Sequence, residues 1–174
     1  MNEYKARFYE HYHGAHVAPR KGEATVAQLQ ARVPIFDHHW ARLLPADRAA
    51  AILDVGCGSG GMVWWLQRRG YTNAAGIDVS PEQVAVARDL GVAHVEQADL
   101  RDHLRRHRGT YDRLVLRDVL EHFERPEILE ILDLCRAALR PNGGILIQVP
   151  NAEPPLGGRI RYGDITHELA FTES

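Results

Sequence analysis

Residues 51–61 read Ala51-Ile52-Leu53-Asp54-Val55-Gly56-Cys57-Gly58-Ser59-Gly60-Gly61. A short apolar run that stops at a glycine-rich loop marks a buried strand turning sharply into a helix. Glycine tolerates the tight turn and lets a ligand approach the backbone, while the helix start presents N–H groups with no partner inside the helix. Four glycines within six residues cost too much chain entropy for a mere turn, so the loop reads as a ligand cradle. Gly56, Gly58 and Gly61 also satisfy the GxGxxG spacing of dinucleotide enzymes. A nicotinamide or flavin dehydrogenase is therefore a rival at this point.

Downstream, the pattern is strand alternating with helix. A helix runs to about Arg69, and Ala74–Val79 is a second strand. Ser80-Pro81-Glu82-Gln83 starts the next helix, with Ser80 as N-cap, Pro81 in the first turn and Gln83 completing a capping box. A third strand near His94–Ala98 ends at Asp99. A fourth, Arg113–Arg117, precedes a helix over about Glu127–Leu139, where Ile128, Ile131, Leu132, Cys135 and Leu139 form one apolar stripe. Pro141-Asn142-Gly143-Gly144 is a turn, and Ile145–Val149 is a fifth strand. Upstream, Val26, Leu29, Val33, Phe36, Trp40 and Leu43 recur at three- and four-residue spacing, an amphipathic helix that Pro34 kinks or divides.

Such alternation predicts an α/β fold, a doubly wound Rossmann-like parallel sheet whose strand C-terminal ends share one edge. Ligands bind along that edge. Asp54, Asp78, Asp99 and the Arg117–His122 segment all fall there. Asp54 stands two residues before the first glycine, where a carboxylate suits a cationic ligand and repels a pyrophosphate. Asp78 is placed to accept both hydroxyls of a ribose, a feature shared with NAD enzymes. Asp99 is placed to accept from an adenine amino group. Any one of these is more often a solvated strand-end residue; three at successive strand ends beside this loop favour a nucleoside ligand that carries positive charge.

Composition narrows the class. The chain has 174 residues, enough for one domain, with 45% hydrophobic and 25% charged residues and a formal charge of −2. Arg101, Arg105, Arg106 and Arg108 cluster, and His103 and His107 stand four apart among them, which reads as a solvated face; acidic residues offset the arginines elsewhere, so no nucleic-acid partner is expected. Two distant cysteines fit a reducing cytoplasm. The N-terminus lacks a signal peptide's apolar stretch, and no run suits a membrane span, so a cytoplasmic location is expected.

ILDVGCGSG resembles the first motif of class I S-adenosylmethionine-dependent methyltransferases, and GIDVSPEQV the segment that follows it. QADL, YDRLVLRDVLEHF and LRPNGGILIQVPN are similar to the later motifs of that family, in order, over about residues 50–151. Leu120-Glu121-His122 is shared with the ubiquinone-biosynthesis-like small-molecule methyltransferases. The resemblance implies S-adenosylmethionine as cofactor, with the loop of Gly56, Cys57, Gly58 and Gly60 against its methionine part, Asp78 on the ribose and Asp99 at the adenine; Asp54, Val79, Leu100 and Arg117 are the further candidate cofactor contacts. It implies two regions, an N-terminal helical lid or arm over 1–45 and the cofactor-binding core over 46–174. A complete core of that family has seven strands. With five by residue 151, the sequence is expected to lack the last helix and final strand pair, FTES reading as that helix's start, with further chain or a partner copy, as in a homodimer, covering the sheet edge.

The acceptor side is read from GDITHELAFT, which resembles a segment of methyltransferases in cell-surface polysaccharide pathways and implies a sugar or glycan hydroxyl as acceptor. His167 and then His122 are the candidate general bases, since an imidazole takes a proton near neutrality. Each is otherwise a structural histidine. Asp164, Tyr12 and His13 are the candidate acceptor contacts, the last two in a lid-like arm. His11, His13 and His16 have no regular ligand spacing, so no metal is expected there. N- or C-methylation of another metabolite, or cofactor binding without turnover, stay open as alternatives. If the acidic residues are read correctly, calorimetry will detect binding of S-adenosylmethionine or its demethylated product and none of NAD; the reverse result restores the dehydrogenase.

Overall fold

The computed structural model describes residues 9–11, 24–153, 158 and 163–173. Five parallel strands form one sheet in the order β3-β2-β1-β4-β5, with β1 Ile52–Val55, β2 Ala74–Asp78, β3 Val95–Gln97, β4 Tyr111–Arg117 and β5 Leu139–Gln148. The helices between them are α1 Val26–His39, α2 Gly61–Arg68, α3 Pro81–Asp89, α4 Leu100–Arg106 and α5 Arg125–Ala138. Parallel order forces each strand to be followed by a crossover, so both faces of the sheet are covered. Ile52 therefore packs into a core with Phe36, Val63, Trp65 and Val84, while Leu53 and Val55 pack on the opposite face with Leu104, Leu114 and Ile131. β1 lies at the centre, where Asp54 registers with Gly76 of β2 and Val115 of β4. The strand order reverses direction at β1, and the crevice opens there. Among the described residues no helix is long and apolar enough to cross a membrane.

Local chemistry departs from the sequence reading in instructive places. α1 is a single helix that carries Pro34 in its interior, followed by a 3₁₀ turn, Ala41–Leu43. Leu29 and Phe36, on either side of the proline, are buried, and their packing offsets the lost backbone hydrogen bond. Its stripe is narrower than expected, because Val26 and Leu43 are exposed. The capping box expected at α3 is half formed. Ser80 Oγ accepts the Gln83 N–H, but the Ser80 N–H donates to the Asp78 carboxylate and leaves Gln83 nothing to accept. A full box forms instead at α1, between Thr25 and Gln28.

Three more corrections follow from packing. Tyr111 pairs with Leu139 and Arg113 with Gly144, so the Pro141–Gly143 turn bulges out of a strand that begins before it. His103 is buried, not solvated: its Nε2 lies 2.7 Å from the Tyr111 hydroxyl, its Nδ1 lies 2.8 Å from Glu96, and its ring stacks on His107. Phe171 starts no helix; it forms a parallel bridge with Asn151 and returns the chain to the end of β5.

Trp65 ties α1 to α2. It is 1% exposed, packs on Phe36 at 5.6 Å between ring centroids and donates its indole N–H to Asp37 at 2.9 Å. Trp65→Ala should cost about 3–5 kcal/mol in urea denaturation, the range for truncating a buried aromatic; a loss under about 1 kcal/mol would show that α1 is not docked through this residue.

Candidate active site

A cavity of about 530 Å³ opens at the C-terminal ends of β1, β2, β3 and β4. Its walls include Gly56, Cys57, Gly58, Asp78, Val79, Asp99, Leu100, Arg117 and His122, nine of the residues singled out from sequence. The glycine loop needs its composition. Gly56 has φ +69°, and a Cβ there would lie 2.8 Å from Val119 Cγ2, so any side chain would be strained and would push into the wall.

Asp78 organises the loop. Its Oδ2 accepts the Gly58 N–H at 2.8 Å and its Oδ1 accepts the Ser80 N–H at 2.8 Å. Burial raises its carboxyl and these backbone donors oppose the rise. A carboxylate has about four lone-pair positions, so two remain for a ligand. Asp99 caps α4, accepting the Arg101 N–H at 2.8 Å, and also faces the cavity.

Two expected contacts stand off the wall. Asp54 is 1% exposed beneath the loop, and its Oδ2 has no partner among the described residues. Burial lifts its carboxyl to about 7, against the opposing field of Arg117. Asp54 is absent from the cavity wall, and the Arg117 that faces the cavity lies near enough for its charge to act on this buried carboxyl. Gly60 faces Val92 and Ala87, where a Cβ would lie within 3.2 Å of both; close packing explains it rather than ligand contact. Tyr12 and His13 lie outside the described residues.

Sequence reading missed Arg32, Gln83, Asp118 and Tyr9 on the wall. Arg32 projects from α1 to within 3.6 Å of where a Gly61 Cβ would sit, beside the Arg117 guanidinium, which lies over Phe36 at 5.3 Å. Burial and that neighbouring cation lower the Arg32 pKa. Arg117 Nε is buried with no acceptor among the described residues. Two cations converging on one end of the cavity, one with an unmet donor, suit an anionic ligand group. Only contact across the fold reveals this, since no motif joins residue 32 to residue 117. Asp118 has φ +58°, the left-handed region, and its N–H donates to Gln148 of β5.

The far end is built by the chain's two outer segments. Glu121 carbonyl accepts the Glu168 and Leu169 N–H groups at 2.7 and 3.1 Å, pinning the 163–171 loop to the 3₁₀ turn Leu120–His122. His167 is therefore not on the cavity wall but behind it, edge-on to His122 with ring centroids 4.8 Å apart. Asp164 is buried deeper, its Oδ1 accepting from Thr166. Tyr9 lines the cavity and meets His122 edge-on at 6.4 Å; burial holds its phenol well above the usual range. Donor atoms of Glu121, His122 and His167 lie within 4.8 Å of one another, close enough for one cation to reach all three.

These features match known proteins. A methyltransferase-domain family model covers residues 28–171. The chain belongs to the class I S-adenosylmethionine-dependent methyltransferases. It is 34% identical over 128 residues to a ubiquinone biosynthesis O-methyltransferase of Xylella fastidiosa, covering 71% of this chain and 50% of that protein. It is 35% identical over 133 residues to one from Xanthomonas oryzae pv. oryzae, covering 72% and 53%. The chain thus spans about half the length of these relatives. A SAM-dependent methyltransferase from Archaeoglobus fulgidus shares the fold with a TM-score of 0.69 at 20% identity, covering 84% of this chain and 66% of that one. S-adenosylmethionine is the cofactor of this class, and the residues present fit it: a glycine loop with positive φ at Gly56 and Gly58 and no room for a side chain at Gly56, a carboxylate at the end of β2 and an arginine with an unmet donor.

Glu121 adds a pH dependence to the stability of the fold. It is 2% exposed, and neither carboxyl oxygen has a partner among the described residues. Burial, reinforced by the nearby Asp118 and Asp164, raises its carboxyl from 4.5 to about 7. The folded state therefore keeps a proton that the unfolded chain releases, and stability falls as pH rises through that window. Asp54 acts in the same direction. Glu121→Gln should flatten the slope of unfolding free energy against pH between about 4.5 and 7, leaving the Asp54 part; an identical slope in the variant would mean that Glu121 is ionised in the fold.

Proposed function

We propose that this chain transfers a methyl group from S-adenosylmethionine to a hydroxyl of a small molecule, with a sugar or glycan hydroxyl as the preferred acceptor. The observation that carries the reading is His122, an imidazole on the wall of the cofactor cavity at the point where the 163–171 loop closes on it. Oxygen as the methylated atom is supported by the names of the O-methyltransferase relatives. A polyhydroxy acceptor is supported by the likeness of GDITHELAFT to methyltransferases of polysaccharide pathways and by the Tyr9 phenol, which shares the wall with His122.

Arg32 and Arg117 would hold the carboxylate of the cofactor's methionine part, Asp78 would take the ribose hydroxyls, and Asp99 would meet the adenine, with Val79 and Leu100 on the same wall. When bound, S-adenosylmethionine would supply a methyl on a sulfonium sulfur, the acceptor oxygen's electron pair replacing the C–S bond, whose pair would stay with sulfur. His122 receives the hydroxyl proton, and His167, packed edge-on, orients the ring. That assignment moves the base from His167, the first choice from sequence, to the histidine on the wall. Alignment and exclusion of water by Tyr9 and Phe123 supply the rest.

The test is methyl transfer from labelled S-adenosylmethionine to a panel of sugars, phenols and small amines, with and without EDTA. Label on a sugar or phenol hydroxyl, insensitive to chelation, is expected. Label on an amine overturns O-methylation, and a rate abolished by EDTA gives Glu121, His122 and His167 to a cation. Cofactor binding with no product on the whole panel favours a regulatory module. On the accepted substrate, His122→Ala should lower turnover by about 10²–10⁴-fold with cofactor affinity retained. Asp78→Ala should weaken cofactor binding by about 1–3 kcal/mol.

A further inference from the structure

Thr166 is fully buried between a carboxylate and the cavity histidine. Its Oγ1 lies 2.6 Å from Asp164 Oδ1, which also accepts the Thr166 N–H at 2.9 Å. The same Oγ1 lies 2.8 Å from His122 Nδ1 and takes part in a hydrogen bond with Tyr9. A threonine hydroxyl has one proton and two lone pairs. Short contact with a carboxylate commits the proton to Asp164, because charge-assisted O–H···O⁻ bonds are the shortest and strongest on offer. Towards His122, Oγ1 can then only accept. Nδ1 must therefore carry a proton, and in the neutral ring the lone pair sits on Nε2.

We propose that Thr166, held by Asp164, is a positioning residue that fixes His122 in its Nδ1–H tautomer and so makes Nε2 the ring's proton acceptor. A carboxylate touching the imidazole directly would do the same; here a hydroxyl is interposed and passes the constraint on. The loop's geometry explains how residues 44 apart in sequence meet. Glu121 carbonyl, one residue before His122, takes the Glu168 and Leu169 N–H groups and brings Thr166 against the ring. Neutral imidazole in water prefers the opposite tautomer, so the constraint has something to overcome. The catalytic meaning rests on the methyl-transfer reading above; the tautomer itself does not.

Long-range ¹⁵N–¹H spectra of the ligand-free protein at a pH where His122 is neutral read the tautomer directly. In the wild type His122 should show a protonated Nδ1 and an unprotonated Nε2. Thr166→Val, which keeps the shape and removes the hydroxyl, should shift the ring towards Nε2–H, and Thr166→Ser should restore the wild-type pattern. Binding of S-adenosylhomocysteine, measured by calorimetry, should stay within about threefold in both variants, whereas kcat on the hydroxyl acceptor falls at least tenfold in Thr166→Val and recovers in Thr166→Ser. Should Thr166→Val fail to fold, Asp164→Asn reports the same coupling, with a mixed tautomer expected. An Nε2–H ring in the wild type, or one unmoved in Thr166→Val, overturns the proposal. The expected tautomers with no difference in kcat would confine Thr166 to structure and overturn its positioning role while leaving methyl transfer intact.

Discussion

One carboxylate joins the two loops on which the site depends. Asp78, at the end of β2, accepts one N–H from the glycine loop after β1 and another from the start of α3. Parallel strands bring these loops to one edge, and the Cys57 N–H on the Ile77 carbonyl carries the pairing into the glycine loop. The two backbone donors on Asp78 then tie that loop to the start of α3. They also consume the Ser80 N–H that a capping box would need, so Gln83 turns from its helix into the cavity wall. A local rule of helix starts yields to a non-local demand of the site.

The cofactor side was legible in sequence because it is local. Each strand end carries its own signal within a few residues: the glycines after Val55, the acid at 78, the acid at 99. Nine of the named residues line one cavity for that reason. Asp54 and Gly60 lie off the cavity wall, which the sequence does not show: it gives position along a strand or loop but not which side of it is buried. Arg32 carried no signal at all. It is an ordinary charged residue on an amphipathic helix until α1 docks on α2 and aims it beside Arg117.

His103 shows the opposite error. Its arginine neighbours suggested a wet face, yet the last turn of α4 packs against the first residue of β4 and Tyr111 claims the ring. Helical periodicity assigns faces only when the stripe is long, and seven residues of α4 give two turns with little to average. On the far side, the anchoring of the 163–171 loop on a main-chain carbonyl could not be read from the sequence. Backbone acceptors have no residue identity, and so leave no trace in a sequence.

The two halves of the cavity have different ancestry in the chain. Residues 52–123 supply the loops and strand ends around the glycine cradle, whereas the far wall takes Tyr9 from near the start and leans on Thr166 and His167 from near the end. Chain separated by so many residues can meet only after the sheet has closed, and the entropy of that last loop closure grows slowly with length. The cradle is thus written in one continuous stretch of chain, and the outer wall in two distant ones. A lineage could rewrite the outer wall, residue by residue, and keep a working cradle throughout.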